Sequence, residues 1–181
     1  MSSVLVLAFI ICIFVFVVIF YLVALFKILG YIYTYLFWGA INVPSTEEKV
    51  KQIINIVDLS GKKKAIDLGS GDGRIVIALA KAGIEAHGYE INPFLVARAK
   101  KNIKKAGLKN KAHVYLKNFW QENLGEFDVV VVFGMKHVMA KLEKKLEKEL
   151  KPGAVVVLNY FTFSKWKPEK MEDDIYLYIK K

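Results

Sequence analysis

The chain has 181 residues, 27 Lys and Arg against 17 Asp and Glu, a formal net charge of +10, and 55% hydrophobic residues. That length suits one domain with an attached segment. A single cysteine, Cys12, excludes an intrachain disulfide framework, and the scattered His87, His113 and His137 form no metal-ligand cluster.

Val4 to Phe26 is an unbroken apolar run without a charge. As a helix rising about 1.5 Å per residue it is long enough for the roughly 30 Å hydrocarbon core of a bilayer. A cleaved signal peptide needs a basic start, a shorter apolar stretch and a small-residue cleavage site. Met1-Ser2-Ser3 has no basic side chain and no good site follows, so residues 1–27 read as a retained, single-pass anchor. A second apolar stretch, Ile28 to Ile41, is too short to span comfortably. Tyr31, Tyr33, Tyr35 and Trp38 give residues 28–44 an interfacial character, at the membrane surface or bridging to the domain. The alternative is an extra helix packed on the domain. Apart from Lys27, every Lys, Arg, Asp and Glu lies after Ser45. The positive-inside bias then puts the domain on the cytoplasmic side, or the matrix side in an organelle.

Residues 45–181 form the domain. Ser45-Thr46-Glu47-Glu48 matches a capping box with Ser45 as N-cap, opening a helix whose Val50, Ile53, Ile54 and Val57 share a face. Strands then fall near 64–68, 86–90, 112–116, 127–133 and 154–158, and helices near 74–82, 93–106 and 136–150. This alternation predicts an α/β fold with a Rossmann-like parallel sheet. Cofactors bind such sheets at the carboxyl ends of the strands, where strand order reverses. Only about twenty residues follow the fifth strand, so Phe161 to Phe163 and Ile175 to Ile179 are expected to finish a sheet shortened at its C-terminus by one helix.

The chemistry sits in Ala65-Ile66-Asp67-Leu68-Gly69-Ser70-Gly71-Asp72-Gly73-Arg74. An apolar strand runs into a glycine-rich turn and a helix, and an acid, Glu90, ends the next apolar run. That arrangement holds a nucleoside cofactor. The dinucleotide fingerprint places its third glycine where this chain has Arg74, and Asp67, two residues before Gly69, suits an ammonium rather than a pyrophosphate. These details favour S-adenosyl-L-methionine over a nicotinamide dinucleotide. The candidate cofactor-binding residues are Asp67, Gly69, Ser70, Gly71, Gly73, Glu90, Ile91, Asn118 and Phe119, with Glu90 a bidentate acceptor for ribose hydroxyls.

No residue is forced as a catalytic base. His137 lies just past the fourth strand and either serves as one or merely opens a helix. Asn159 and Tyr160 end the fifth strand and are candidates to line an amine channel. Phe133, Phe161 and Trp166 are either aromatic walls for a methylated ammonium or ordinary core. Lysines crowd 98–111 and 136–151, as solvated helix faces or as an attraction to anionic lipid. No aromatic-interleaved basic motif supports nucleic acid, and Phe133-Gly134-Met135 lacks the Asn/Asp-Pro-Pro-aromatic turn typical of base amino-methyltransferases.

The run Ile66 to Ala78, then Gly88-Tyr89-Glu90-Ile91-Asn92-Pro93-Phe94-Leu95-Val96, resembles a small family of membrane-associated methyltransferases. Its known members are mitochondrial protein-lysine methyltransferases acting on the ADP/ATP carrier and the ATP synthase c-subunit. Val43-Pro44-Ser45, Val132-Phe133-Gly134, Leu142 to Glu147 and Trp166-x-Pro168 extend the resemblance. It implies transfer of a methyl group from S-adenosylmethionine to a lysine of a membrane protein. Three places depart from the family pattern: Asn118 stands where an acid is usual beside the adenine, Lys136-His137 replaces Pro-Gln, and Phe161-Thr162-Phe163-Ser164 lacks the family's prolines. The residues alone leave three other readings open: a methyltransferase for a lipid or lipid-like small molecule, a non-catalytic interaction protein that keeps the fold, and a nicotinamide-dependent oxidoreductase disfavoured by Arg74.

Overall fold

The computed structural model describes residues 3–38, 44–134 and 136–181. The chain divides into two compact units, 1–41 and 42–181.

The described residues of the first unit form one helix, α1 (Ser3–Trp38). It runs unbroken past Lys27, so no change of secondary structure separates the anchor from the start of the 28–44 segment; the rest of that segment's character falls largely on side chains outside the described residues. Phe9 to Gly30 is long and apolar enough to cross a membrane. Every side chain described along it is exposed except half-buried Ala24. A helix apolar all round has no polar face to offer water. Free Cys12 lies on it.

The second unit begins with α2 (Glu47–Ile56), whose N-cap is Thr46 rather than the expected Ser45. The Thr46 hydroxyl accepts from the Lys49 amide at 3.2 Å. The Ser45 carbonyl is committed elsewhere, to Arg74. Four parallel strand-and-crossover steps follow: β1 (Lys64–Leu68), α3 (Arg74–Lys81), β2 (Glu85–Glu90), α4 (Pro93–Lys105), β3 (Ala112–Leu116), β4 (Val129–Phe133), α5 (Met139–Glu149) and β5 (Val155–Asn159). Strands β6 (Lys170–Glu172) and β7 (Ile175–Ile179) close the sheet. Its order is β3-β2-β1-β4-β5-β7-β6, with β7 antiparallel to β5 and β6 to β7. Strand order reverses between β1 and β4, which puts the switch point at the end of the glycine loop's own strand.

Side chains alternate across the strands. Ala65, Val129, Val131, Val155 and Val157 pack with α2, α3 and α4, while Ile66, Leu68, Val130, Val132, Val156 and Leu158 pack with α5. Among the described α-helices only α5 covers the second face. The β3–β4 connection holds a short 3-10 turn at Phe119–Gln121.

The expected strand over Phe161 to Phe163 does not form; the sixth strand is at Lys170–Glu172. The chain just past Phe163 is held instead by Glu143 on α5, which is 2% exposed. Its carboxylate accepts from the amides of Ser164, Lys165 and Trp166 and from the Ser164 hydroxyl, at 3.2, 2.8, 2.6 and 2.9 Å. These donors lie just past 161–163; within that stretch the Phe163 amide donates to the Tyr178 hydroxyl at 3.2 Å. Burial pushes the Glu143 carboxyl up, but these donors outweigh it and hold the group below the usual glutamate range. Trp166, pinned here, stacks on Phe163 at 5.7 Å and packs with Tyr178, so it belongs to the core and not to an aromatic wall.

Candidate active site

The loop between β1 and α3 is built on three glycines with positive φ: Gly69 at +84°, Gly71 at +53° and Gly73 at +82°. These are left-handed conformations that glycine adopts without strain. Gly73 is needed for a second reason: a Cβ there would lie 3.0 Å from the Cβ of Ala99 on α4. It serves helix packing, whereas the space at Gly69 is open. The Gly69 and Ser70 amides both donate to the Tyr89 carbonyl, at 2.8 and 3.1 Å, fastening the loop to the end of β2.

Glu90, 8% exposed, ends β2 beneath this loop. One carboxylate oxygen accepts from the Gly71 amide and the other from the amides of Ile91 and Asn92, all at 2.9 Å. Glu90 is thus a clamp on the loop before it is a ligand group. Three of its roughly four lone-pair positions are engaged, which leaves room on the Gly71 side for one further donor. The bidentate ribose geometry expected from the sequence requires sharing those acceptors.

Asp67 projects from β1 on the same sheet face as the α2–α4 helices. It is 3% exposed, and no described residue donates a hydrogen bond to its carboxyl. Desolvation, with the Glu90 and Asp72 charges, pushes its pKa up to about 8. A buried carboxyl without a partner is costly, and a cation placed against it would remove that cost. Ser70 is 5% exposed and its hydroxyl has no described partner. The Ser70 hydroxyl is turned inward, toward Gly88, and the loop offers a buried unpaired acid and open space at Gly69. That arrangement fits the ammonium of an amino acid joined to a nucleoside.

The loop is also braced from outside. The Asp72 carboxylate takes a forked pair of bonds from Arg74, at 3.0 and 2.8 Å, and the Asn102 amide donates to the Asp72 carbonyl at 3.0 Å. Arg74 also donates to the Ser45 carbonyl, tying the entry to the domain to the loop. Neither Asn102 nor Gly88 stands out in the sequence. A Cβ on Gly88 would fall 2.5 Å from the Ser70 hydroxyl and 2.9 Å from Val76, so this glycine makes room for the loop.

Asn118 and Phe119 lie on the far side of β2. The Lys117 amide donates to the Glu90 carbonyl at 3.0 Å, which brings this segment to the site. The Asn118 carbonyl oxygen caps the 3-10 turn by accepting from the Trp120 amide at 3.1 Å and keeps a second lone pair. Phe119 is half-buried against Trp120, with ring centroids 4.7 Å apart. Phe94 stands 80% exposed in the first turn of α4, just after Ile91 and Asn92. Across the switch point, Phe133, Tyr160 and Phe161 form a chain of ring contacts of 6.4 and 5.8 Å. His137 is exposed in a 3-10 turn ahead of α5, opening the helix. Among the described residues no group of acids, histidines and cysteine could hold a metal ion.

Comparison with known proteins agrees with this geometry. The lysine N-methyltransferase of the ATP synthase c-subunit from Mus musculus is 40% identical over 127 residues, 70% of this chain and 51% of that protein. The chain thus spans about half the length of that relative. A protein-lysine N-methyltransferase of Saccharolobus islandicus is 38% identical over 147 residues, 76% of this chain and 91% of that protein. Among solved structures, an RNA methyltransferase from Salinibacter ruber in complex with S-adenosyl-L-homocysteine is 33% identical, with a TM-score of 0.71 over 76% of this chain and 93% of that one. The family model described as the ANTKMT methyltransferase domain matches residues 67–170, from the buried acid of β1 to the start of β6, and the chain belongs to that family.

Proposed function

We propose that this protein is an S-adenosylmethionine-dependent N-methyltransferase whose acceptor is a lysine side chain of a membrane protein. The observation that carries the cofactor reading is the buried, unpaired Asp67 carboxyl under a glycine loop held by Glu90. S-adenosylmethionine, when bound, supplies an electrophilic sulfonium methyl group. Asp67 takes the ammonium, and the open space at Gly69 admits the amino-acid end of the cofactor. Glu90 and Ile91 hold the ribose side, and Asn118 and Phe119 hold the adenine. None of these groups needs to move a proton, and positioning supplies much of the rate. A lysine amine must reach the site neutral, which a pocket poor in water favours by lowering its pKa.

The curated relatives' names support the lysine acceptor, and an N-terminal helix able to span a membrane supports a target at the bilayer. A cytoplasmic or matrix-facing domain and attraction of the exposed lysines of α4 to anionic lipid belong to the same reading. The solved neighbour, an RNA methyltransferase, points instead to RNA. Incubation of native membranes and total RNA with the protein and methyl-tritiated S-adenosylmethionine separates these readings. Label in a protein band, absent with Glu90→Ala, is expected. Label in the lipid extract or in RNA would contradict the lysine acceptor and leave the cofactor reading standing.

A further inference from the structure

The carboxyl end of β5 carries features that the cofactor half of the site does not use. Asn159 is 2% exposed, and its side-chain carbonyl oxygen is buried without a hydrogen-bond partner among the described residues. A buried acceptor left without a hydrogen bond is destabilising unless a ligand supplies the donor. The next residue, Tyr160, has φ +83°, a left-handed conformation for a residue with a side chain, and is 60% exposed. Such a conformation is strained for a residue with a side chain and concentrates at functional sites. Its amide donates to the Asp174 carbonyl at 2.7 Å, which holds the turn in place. The turn sets the Tyr160 ring beside Phe133 and Phe161.

Register places the pair relative to the cofactor loop. Asp67 lies opposite Val131, and Asn159 lies opposite Phe133, two residues further along β4. Alternation puts Asp67, Phe133 and Asn159 on one sheet face, at the same end. The glycine loop and Glu90 occupy the β1–β2 side of the switch point, and Asn159 and Tyr160 occupy the β4–β5 side. An acceptor substrate approaching the cofactor meets the second side.

We infer that Asn159 contacts the substrate: its side-chain oxygen accepts an N–H from the lysine amine and orients it, while the rings of Tyr160, Phe133 and Phe161 flank the lysine's methylene stem. This rests on the reading of the site as a lysine N-methyltransferase. It has a consequence that a purely structural role lacks. A neutral primary amine has two N–H groups, a monomethylated amine one, and a dimethylated amine none. Asn159 therefore assists the first and second transfers and not the third.

The test compares the full-length protein with Asn159→Leu, which removes the acceptor at similar size, and Asn159→Asp, which keeps an acceptor oxygen. Affinity for S-adenosylhomocysteine is measured by calorimetry, and transfer to native membranes by tritium label, with the lysine methylation state read by mass spectrometry. In Asn159→Leu, transfer to unmodified lysine is expected to fall at least tenfold and S-adenosylhomocysteine affinity to change less than twofold. Asn159→Asp is expected to restore part of the transfer. A matching loss of S-adenosylhomocysteine affinity would assign Asn159 to the cofactor and overturn the inference, and so would undiminished transfer. If Asn159→Leu does not fold, Asn159→Asp decides alone: transfer in that variant reduced as far as in Glu90→Ala, with S-adenosylhomocysteine bound normally, would overturn it. A wild-type protein that binds S-adenosylhomocysteine but labels no lysine overturns the lysine reading itself, and this assignment with it.

Discussion

With the ammonium placed at Asp67 as proposed, cofactor binding is a proton-coupled event. The folded pKa of Asp67, about 8, lies far above the ordinary aspartate value of about 3.9, because desolvation, Glu90 and Asp72 all oppose its charge. At pH 7 the free protein therefore holds this carboxyl about nine-tenths protonated. An ammonium seated against it favours the ionised form. If pairing brings the pKa below about 5, about 0.9 proton leaves per ligand bound at pH 7, and affinity falls about ninefold between pH 7 and pH 6. The ligand's own amine, near 7.7–8.0 as an ordinary α-amino group, stays mostly protonated over this range. Calorimetry with S-adenosylhomocysteine in buffers of different ionisation enthalpy reads the proton release directly. Asp67→Asn should bind more weakly and lose the pH dependence. Wild-type affinity that is flat from pH 6 to pH 7, with no proton release, would refute the placement of the ammonium at Asp67. The same shift has a stability consequence. The folded state holds a proton that the unfolded state releases, so the Asp67 contribution falls as pH rises from about 4 to about 8 and is constant above that.

Three further outcomes follow from named contacts. Glu143→Ala leaves three amides and a hydroxyl without their acceptor, and should lower stability by about 3 kcal/mol, seen as a melting temperature about 10 °C lower. A loss under 1 kcal/mol by urea titration would mean the 164–166 segment is held by Trp166 packing instead. Gly88→Ala puts a methyl group against the Ser70 side chain and Val76, and should cost about 1–3 kcal/mol and weaken S-adenosylhomocysteine binding with it; unchanged binding by calorimetry would show that the loop can retreat freely. Removal of residues 1–41 should leave a folded domain that no longer sediments with vesicles at high salt, and continued sedimentation would make another surface the tether.

The glycine loop was legible because its residues are local: Asp67, the glycines and Glu90 lie within one strand–helix–strand unit, and each type has a distinct steric or charge reason. The parallel sheet followed from alternation of apolar runs. What the sequence concealed depends on partners distant in the chain. Glu143 sits among lysines on α5 and looks solvated, yet it is buried and holds the backbone of residues 164–166, more than twenty residues away. Ser45, with Glu48 three residues on, matches the capping pattern and Thr46 does not, and only the bond from Arg74, 29 residues on, shows the Ser45 carbonyl committed elsewhere. Gly88 reads as a strand glycine until the Ser70 side chain is placed against it. Glu90 is recognisable as an acid at a ribose position, but its grip on three backbone amides emerges only from the folded loop.

The most direct test of the account is the chemical form of the transferred methyl group. Native membranes are incubated with methyl-tritiated S-adenosylmethionine and the full-length protein, the protein fraction is hydrolysed in acid, and the labelled amino acid is identified by chromatography. The account predicts tritium in methylated lysine, lost with Glu90→Ala. Tritium in another amino acid, or recovered only in lipid or RNA with none in lysine, would contradict it.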